Sequence, residues 1–421
     1  MNYKKTILPN GLTIVEVPSA DAESVVVDFF VKTGSRSETP IENGISHFLE
    51  HFLFKGTKQY PSALAISTLI DSIGGEMNAN TGKEHTQFYI KAAHQHLELI
   101  FKVLTDMLQN PLLDSAELEK EKGVIVEEIN MYKDTPMYEI ENVLENTMWP
   151  DTELGRDIAG SKETVLAFNR EMFVDYINRH YQTPNIILGI SGKYKKALFR
   201  KLVNKYWARL PRRRFHTWTK VTDTQAQSRV RVEFKETEQA HLALGFKGFA
   251  YKDRRNIAQS VLAAVLSGGM SGRLFTEVRE KRGLCYYIRA SGGNYQDAGI
   301  FNIGAGVQIG KIEEALKVIL AELENIKNTQ VGPTELLKAK EYLKGKTVLA
   351  LEDNQVRLDW FLESTAFRPA ILKPTEIFAK IDKVTAHEVQ KVAKDLFKRE
   401  QMTLAIIGPY KDDKIFKKLI K

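Results

Sequence analysis

His47, Glu50 and His51 stand within the run Gly44-Ile45-Ser46-His47-Phe48-Leu49-Glu50-His51-Phe52-Leu53-Phe54. On a helix, side chains four apart sit one turn above each other. His47 and His51 can therefore grip one metal ion through neutral imidazole nitrogens. Glu50, three residues on from His47, borders the same face and is free to take a proton from a metal-activated water. The plain alternative is a pair of core histidines with an incidental glutamate beside them.

A third donor can come from a second helix. Asp114-Ser115-Ala116-Glu117 has the cap and the acidic third residue of a capping box, opening a helix expected to run to about residue 133. Its inward stripe, spaced by three and four, is Leu118, Glu121, Ile125, Glu128, Ile129 and Tyr132. Two carboxylates thus lie on an apolar face, where an ionised group without a partner is costly. Glu128 is the natural third ligand and Glu121 needs a cation or strong donors. The alternative is that both pair with arginines.

The elements that must position these residues are legible in outline. Pro9-Asn10-Gly11 between apolar runs predicts a hairpin, and residues 25–32 a buried strand. The His47 helix starts at Thr39-Pro40-Ile41-Glu42 or after Asn43-Gly44, and stops before Gly56. Helices are expected over about 62–73, 95–109, 137–146, 162–180 and 195–208, with two short strands within 76–90 and another over 185–191. His94 and His96, two apart, face different ways and read as surface histidines. The segment Phe88-Tyr89-Ile90-Lys91-Ala92 and its following helix are echoed half a chain later by Phe301-Asn302-Ile303-Gly304-Ala305 and a helix with Ile312, Leu316 and Ile319. The predicted fold class is α+β: two duplicated domains, each a mostly antiparallel sheet packed with helices. The divisions are 1–210 for the first domain, 211–228 for a linker and 229–421 for the second. Only the first copy carries the metal-binding pattern, so one zinc ion per chain is expected.

Composition excludes several classes. The 421 residues carry 60 basic and 53 acidic side chains, interspersed, for a net charge of +7. The densest basic run, Arg212-Arg213-Arg214, reads as a solvated linker rather than a nucleic-acid patch, since no aromatic platform accompanies it. A single cysteine, Cys285, rules out an internal disulfide framework. No run is long and apolar enough for a membrane span, and the N-terminal residues lack a signal-peptide core. Cytoplasmic location, without membrane or nucleic-acid partners, is the expectation.

The inverted His-x-x-Glu-His order, the downstream Glu128, the Gly-Gly-x-x-Asn-Ala segment, the Leu8-Pro9-Asn10-Gly11-Leu12 hairpin, the segment Ser267-Gly268-Gly269-Met270-Ser271-Gly272-Arg273 and the duplicated halves together resemble the pitrilysin-like zinc peptidases. The likeness is greatest to their mitochondrial-processing-peptidase-like subgroup and spans essentially the whole chain. It implies a zinc endopeptidase cutting unfolded peptides or presequences inside a clamshell chamber. The assembly implied is a homodimer, or a heterodimer with a related chain. The resemblance makes His47, His51 and Glu128 the zinc ligands, Glu50 the general base, and Glu121 a group that holds the ligand geometry. It places Arg279 and Tyr286 opposite the zinc, with the choice between Tyr286 and Tyr287 resting on spacing. Asn78 and Ala79 would meet the substrate backbone on an edge strand, against the plain reading of an ordinary hairpin. A non-catalytic peptide-binding subunit is the competing function.

Overall fold

A computed structural model describes residues 2–215, 217–222 and 225–420. Positions 216, 223 and 224 of the expected linker, and the end residues 1 and 421 of the two expected domains, lie outside the described residues. The first sheet contains β1 (Lys4–Ile7), β2 (Thr13–Pro18), β3 (Ser24–Val31), β4 (Glu76–Thr81), β5 (Thr86–Ala93) and β6 (Ile186–Gly192). Their spatial order is β1-β2-β6-β3-β5-β4, with β2–β6 parallel and every other pairing antiparallel. The hairpin joining β1 to β2 turns at Gly11, whose φ of +90° suits glycine.

The second sheet contains β7 (Arg229–Phe234), β8 (Gln239–Lys247), β9 (Cys285–Asn294), β10 (Gly299–Gln308) and β11 (Thr403–Gly408), in the order β7-β11-β8-β10-β9. Again one pair, β7–β11, is parallel and the rest antiparallel. Strand for strand this repeats the last five positions of the first sheet, so the duplication read from the Phe88 and Phe301 segments is a duplication of topology. The two sheet-and-helix domains are the expected α+β class.

The compact units are not contiguous in sequence. One comprises Met1–Met131, Arg156–Thr219 and Ala350–Ile371; the other comprises Tyr132–Gly155, Lys220–Leu349 and Leu372–Lys421. Each half of the chain therefore lends a helix to the other half's unit, which the division at 210 and 229 does not include. Packing explains the exchange. The helix Pro136–Met148 buries Ile140, Val143, Leu144 and Met148 against Ala243, Ala405 and Ile407. It comes so close that a Cβ at Gly245 would meet Met148 Sδ at 2.6 Å. The helix Asn354–Phe367 does the same on the first sheet, where a Cβ at Gly189 would lie 2.9 Å from Leu358 Cδ1. A glycine in a central strand makes room for each helix.

The helix expected over 162–180 is two helices, Lys162–Ala167 and Arg170–His180. Phe168 is extended, and Asn169 Oδ1 accepts the Met172 N–H, so a new N-cap opens where periodicity alone ran on. His94 and His96 lie on a short 3₁₀ turn. Among the described residues, no helix is long and apolar enough to cross a membrane.

Candidate metal centre

The histidine helix, Ile45–Leu53, begins after Gly44, the second of the two expected starts. The Thr39 and Glu42 capping box instead closes a short 3₁₀ turn, Pro40–Glu42. Gly44 has φ +99°, and a Cβ there would sit 2.5 Å from the Ala159 carbonyl oxygen, so glycine is required. Glu38, six residues earlier, caps the helix. Its Oε2 accepts the Gly44 N–H and its Oε1 the Ser46 N–H, both at 2.8 Å. Burial pushes the Glu38 carboxyl up to about 7, against the hydrogen bonds that favour its charge. Phe48, Leu49 and Phe52 pack into the core of the first unit. The 3.6-residue period then places His47, Glu50 and His51 together on the remaining, half-exposed side.

The second helix, Ser115–Asp134, is anchored by Leu118, Ile125, Val126 and Ile129. Asp114 Oδ1 caps it by accepting the Ala116 and Glu117 N–H groups. Glu121 is buried and Glu128 half-buried, as the inward stripe requires. Tyr132, assigned to the same stripe, is instead 37% exposed, because it lies in the last turn, beyond the helix's last buried residue, Ile129.

His47, His51 and Glu128 converge. His47 Nε2 lies 3.5 Å from Glu128 Oε1, and His51 Nε2 lies 3.5 Å from Glu128 Oε2. These separations exceed the usual N–H···O range. The two run to different oxygens of the one carboxylate, and each is close to the roughly 3.4 Å between neighbouring donors around an ion with metal–ligand bonds of about 2.0–2.2 Å. The three form the one group of potential metal-binding side chains found among the described residues, with donor atoms within 4.8 Å of one another. Two neutral imidazoles and a carboxylate suit zinc and leave a further position open. The three donors fit the ion.

Around them sits a supporting layer. Glu121 Oε1 holds His51 Nδ1 at 2.9 Å, which fixes the ring so that Nε2 faces Glu128. Lys55 Nζ meets the other Glu121 oxygen at 2.5 Å. Burial pushes the Glu121 carboxyl up, but the His51 and Lys55 contacts outweigh it and hold it below the usual range. Its partners are thus a histidine and a lysine, not an arginine. His51 is raised, first by its bond to Glu121. Glu128 is lowered, first by His47. Glu50 Oε2 accepts a hydrogen bond from Thr81 Oγ1 at 2.5 Å.

Three of these participants escaped the sequence reading. Lys55 stands four residues after His51, a spacing that could have suggested it. Thr81 alternates with Ala79 and Met77 on one face of β4, a period-two pattern that signals orientation without naming a partner. Glu38 carries no local signal, since its capping role depends on a loop folding back.

β4, which carries Asn78 and Ala79, is the edge strand of its sheet as well as half of a hairpin with β5. Asn78 is exposed, and its Oδ1 takes the Ala79 N–H at 2.8 Å. In the second unit, Arg279 donates to the Tyr286 carbonyl at 2.7 Å, and its guanidinium lies 5.3 Å from the Tyr286 ring centre. Tyr286 is 71% exposed, whereas the Tyr287 hydroxyl is engaged with His241 Nδ1 at 3.0 Å.

Comparison with known proteins identifies the family. The family described as "Insulinase (Peptidase family M16)" matches residues 14–162, and "Peptidase M16 inactive domain" matches residues 167–343. An uncharacterized zinc protease of Streptomyces coelicolor is 35% identical over 97% of this chain and 90% of its own length. One from Bacillus subtilis is 34% identical over 96% and 98%. A protease structure from Helicobacter pylori superposes with a TM-score of 0.90 at 24% identity, covering 96% of this chain and 99% of its own. The fold is that of the pitrilysin-like zinc proteases. The chain belongs to peptidase family M16.

Proposed function

We propose that this chain is a zinc-dependent endopeptidase acting on unfolded peptides or presequences. The observation that carries the reading is the convergence of His47, His51 and Glu128, whose donor atoms lie within 4.8 Å of one another, with Glu50 between the histidines on the same helix. Zinc held there would act as a Lewis acid and lower the pKa of its water towards about 7. Glu50 would accept the proton of the attacking water and hand it to the leaving amine. Glu121 keeps the His51 ring oriented throughout. Arg279 and the exposed Tyr286 are proposed to contact the substrate, with Tyr286 donating to the developing oxyanion. The edge of β4 would hold an extended peptide as an added strand, giving affinity with little sequence preference. Assembly as a homodimer, or with a related chain in the manner of the processing peptidases, belongs to the same proposal, as does a cytoplasmic location.

A subunit that binds peptides without cutting them has no need of the ligands or of Glu50, and this chain has them all. The deciding experiment measures zinc content and cleavage of a quenched-fluorescence peptide for the wild type and Glu50→Gln. Retained zinc with cleavage reduced by about 10²–10⁴-fold is expected. Cleavage at the wild-type rate by the zinc-loaded variant would remove Glu50 from its role.

A further inference from the structure

We infer that Thr81 is the positioning residue that aims Glu50, so that the edge strand β4 and the base on the histidine helix work as one mechanical unit. The inference rests on the peptidase reading given above. Among the described residues, Thr81 is the one hydrogen-bond partner of Glu50. Its hydroxyl donates to Oε2 at 2.5 Å, which orients the carboxylate and leaves Oε1 to accept a proton. A glutamate on a helix surface otherwise samples many rotamers, and a base acts only when its oxygen is within reach of the proton it removes.

Thr81 itself has little freedom. It is the last residue of β4 and pairs with Thr86, whose hydroxyl donates to the Thr33 carbonyl at 2.9 Å. The turn that follows is tied to the segment leading into the histidine helix. Ser35 N donates to Gly82 O at 3.2 Å and Arg36 N to Lys83 O at 2.8 Å. The approach is so tight that a Cβ at Gly34 would lie 2.2 Å from Gly82 O. Arg36, fully buried, pairs with Glu84 at 2.6 Å and lies 4.0 Å from the Trp218 ring centre. Two residues beyond Arg36 is Glu38, the cap of the helix that carries Glu50. Thr81 and Glu50 are thus referred to one frame from both directions. Ala79 and Asn78, proposed to meet the substrate backbone, stand two and three residues before Thr81 on the same strand. A peptide that orders this edge would also steady the hydroxyl that holds the base.

The test uses the full chain with Thr81→Val, which keeps the β-branched shape and removes the donor, and Thr81→Ser, which keeps the donor. Steady-state cleavage of a quenched-fluorescence peptide gives kcat and KM, and competition with a chromophoric chelator gives zinc affinity. Thr81→Val is expected to lower kcat about 10- to 100-fold, the scale of losing a hydrogen bond to a charged group, with KM and zinc affinity within about twofold of wild type. Thr81→Ser should restore most of the rate. The proposal is overturned if Thr81→Val keeps its kcat, if its loss follows weakened zinc binding, or if Thr81→Ser is as impaired as Thr81→Val. Glu50→Gln is run alongside. Wild-type cleavage by that variant sinks the peptidase mechanism and this inference with it, whereas an inactive Glu50→Gln beside a fully active Thr81→Val sinks the inference alone.

Discussion

Replacing Glu121 with Gln is expected to weaken zinc binding by about 10- to 100-fold without unfolding the chain. Glu121 touches no metal in this arrangement; it accepts from His51 Nδ1 at 2.9 Å and from Lys55 at 2.5 Å while only 3% exposed. Gln preserves the shape and one acceptor oxygen, but it removes the charge that makes His51 a stronger donor to the ion. It also leaves the Lys55 ammonium facing an amide NH₂ or carbonyl. A hydrogen bond to a charged group contributes about 1.5–3 kcal/mol, and each 1.4 kcal/mol is tenfold in affinity, which gives the stated range. Zinc dissociation constants come from competition with a chromophoric chelator at pH 7.5, with the unfolding temperature of the metal-free protein as a control. Affinity within about twofold of wild type would refute the idea that Glu121 orients the His51 ring. A matching fall in the metal-free unfolding temperature would assign the effect to the scaffold.

Zinc affinity should fall as pH falls, starting earlier than an ordinary histidine would dictate. Zinc requires neutral imidazoles, and the His51 pKa is raised above its usual 6.5 by Glu121 first. Protons therefore compete at higher pH than they would for an unshifted imidazole, and titrations of the dissociation constant from pH 8 to pH 5.5 should show the affinity falling at higher pH in the wild type than in Glu121→Gln; identical profiles would contradict it. Asp28→Asn should stabilise the first unit at pH 8 by about 1–3 kcal/mol and change it little near pH 4. Asp28 is wholly buried, with Oδ2 bonded to Gln87 and Gln355 and Oδ1 unpartnered, and burial followed by the Asp359 charge raises its pKa well above 3.8. Because the folded-state value is raised, the cost of ionisation is absent below 3.8 and grows as pH rises through the folded value. Equal unfolding curves for the two proteins at pH 8 would rule this out.

The residues that could be read in advance are those whose partners lie within one helix or whose cost is local. His47, Glu50 and His51 follow from a three-and-four spacing, and Glu128 from the expense of placing a carboxylate on an apolar stripe. Topology followed from the echo of Phe88 in Phe301, because a repeated strand-and-helix unit repeats its pairing. What escaped the sequence depends on close approach between distant segments. Thr81 meets Glu50 only because the turn after β4 fits against Gly34, and Glu38 caps a helix it does not belong to. The helix Pro136–Met148 looks in sequence like part of the first domain, yet its apolar face is completed by Ala243, Ala405 and Ile407, more than ninety residues further along. The break at Phe168 and Asn169 was hidden because both flanking helices keep an apolar period, and one side-chain cap decides the boundary.

Anomalous diffraction at the zinc edge from crystals of the zinc-loaded chain tests most directly whether two distant helices hold one zinc ion through His47, His51 and Glu128. One peak per chain is expected, about 2.0–2.2 Å from His47 Nε2, His51 Nε2 and a Glu128 oxygen. A peak elsewhere, or Glu128 turned away from the two imidazoles with no ion between them, would contradict the account.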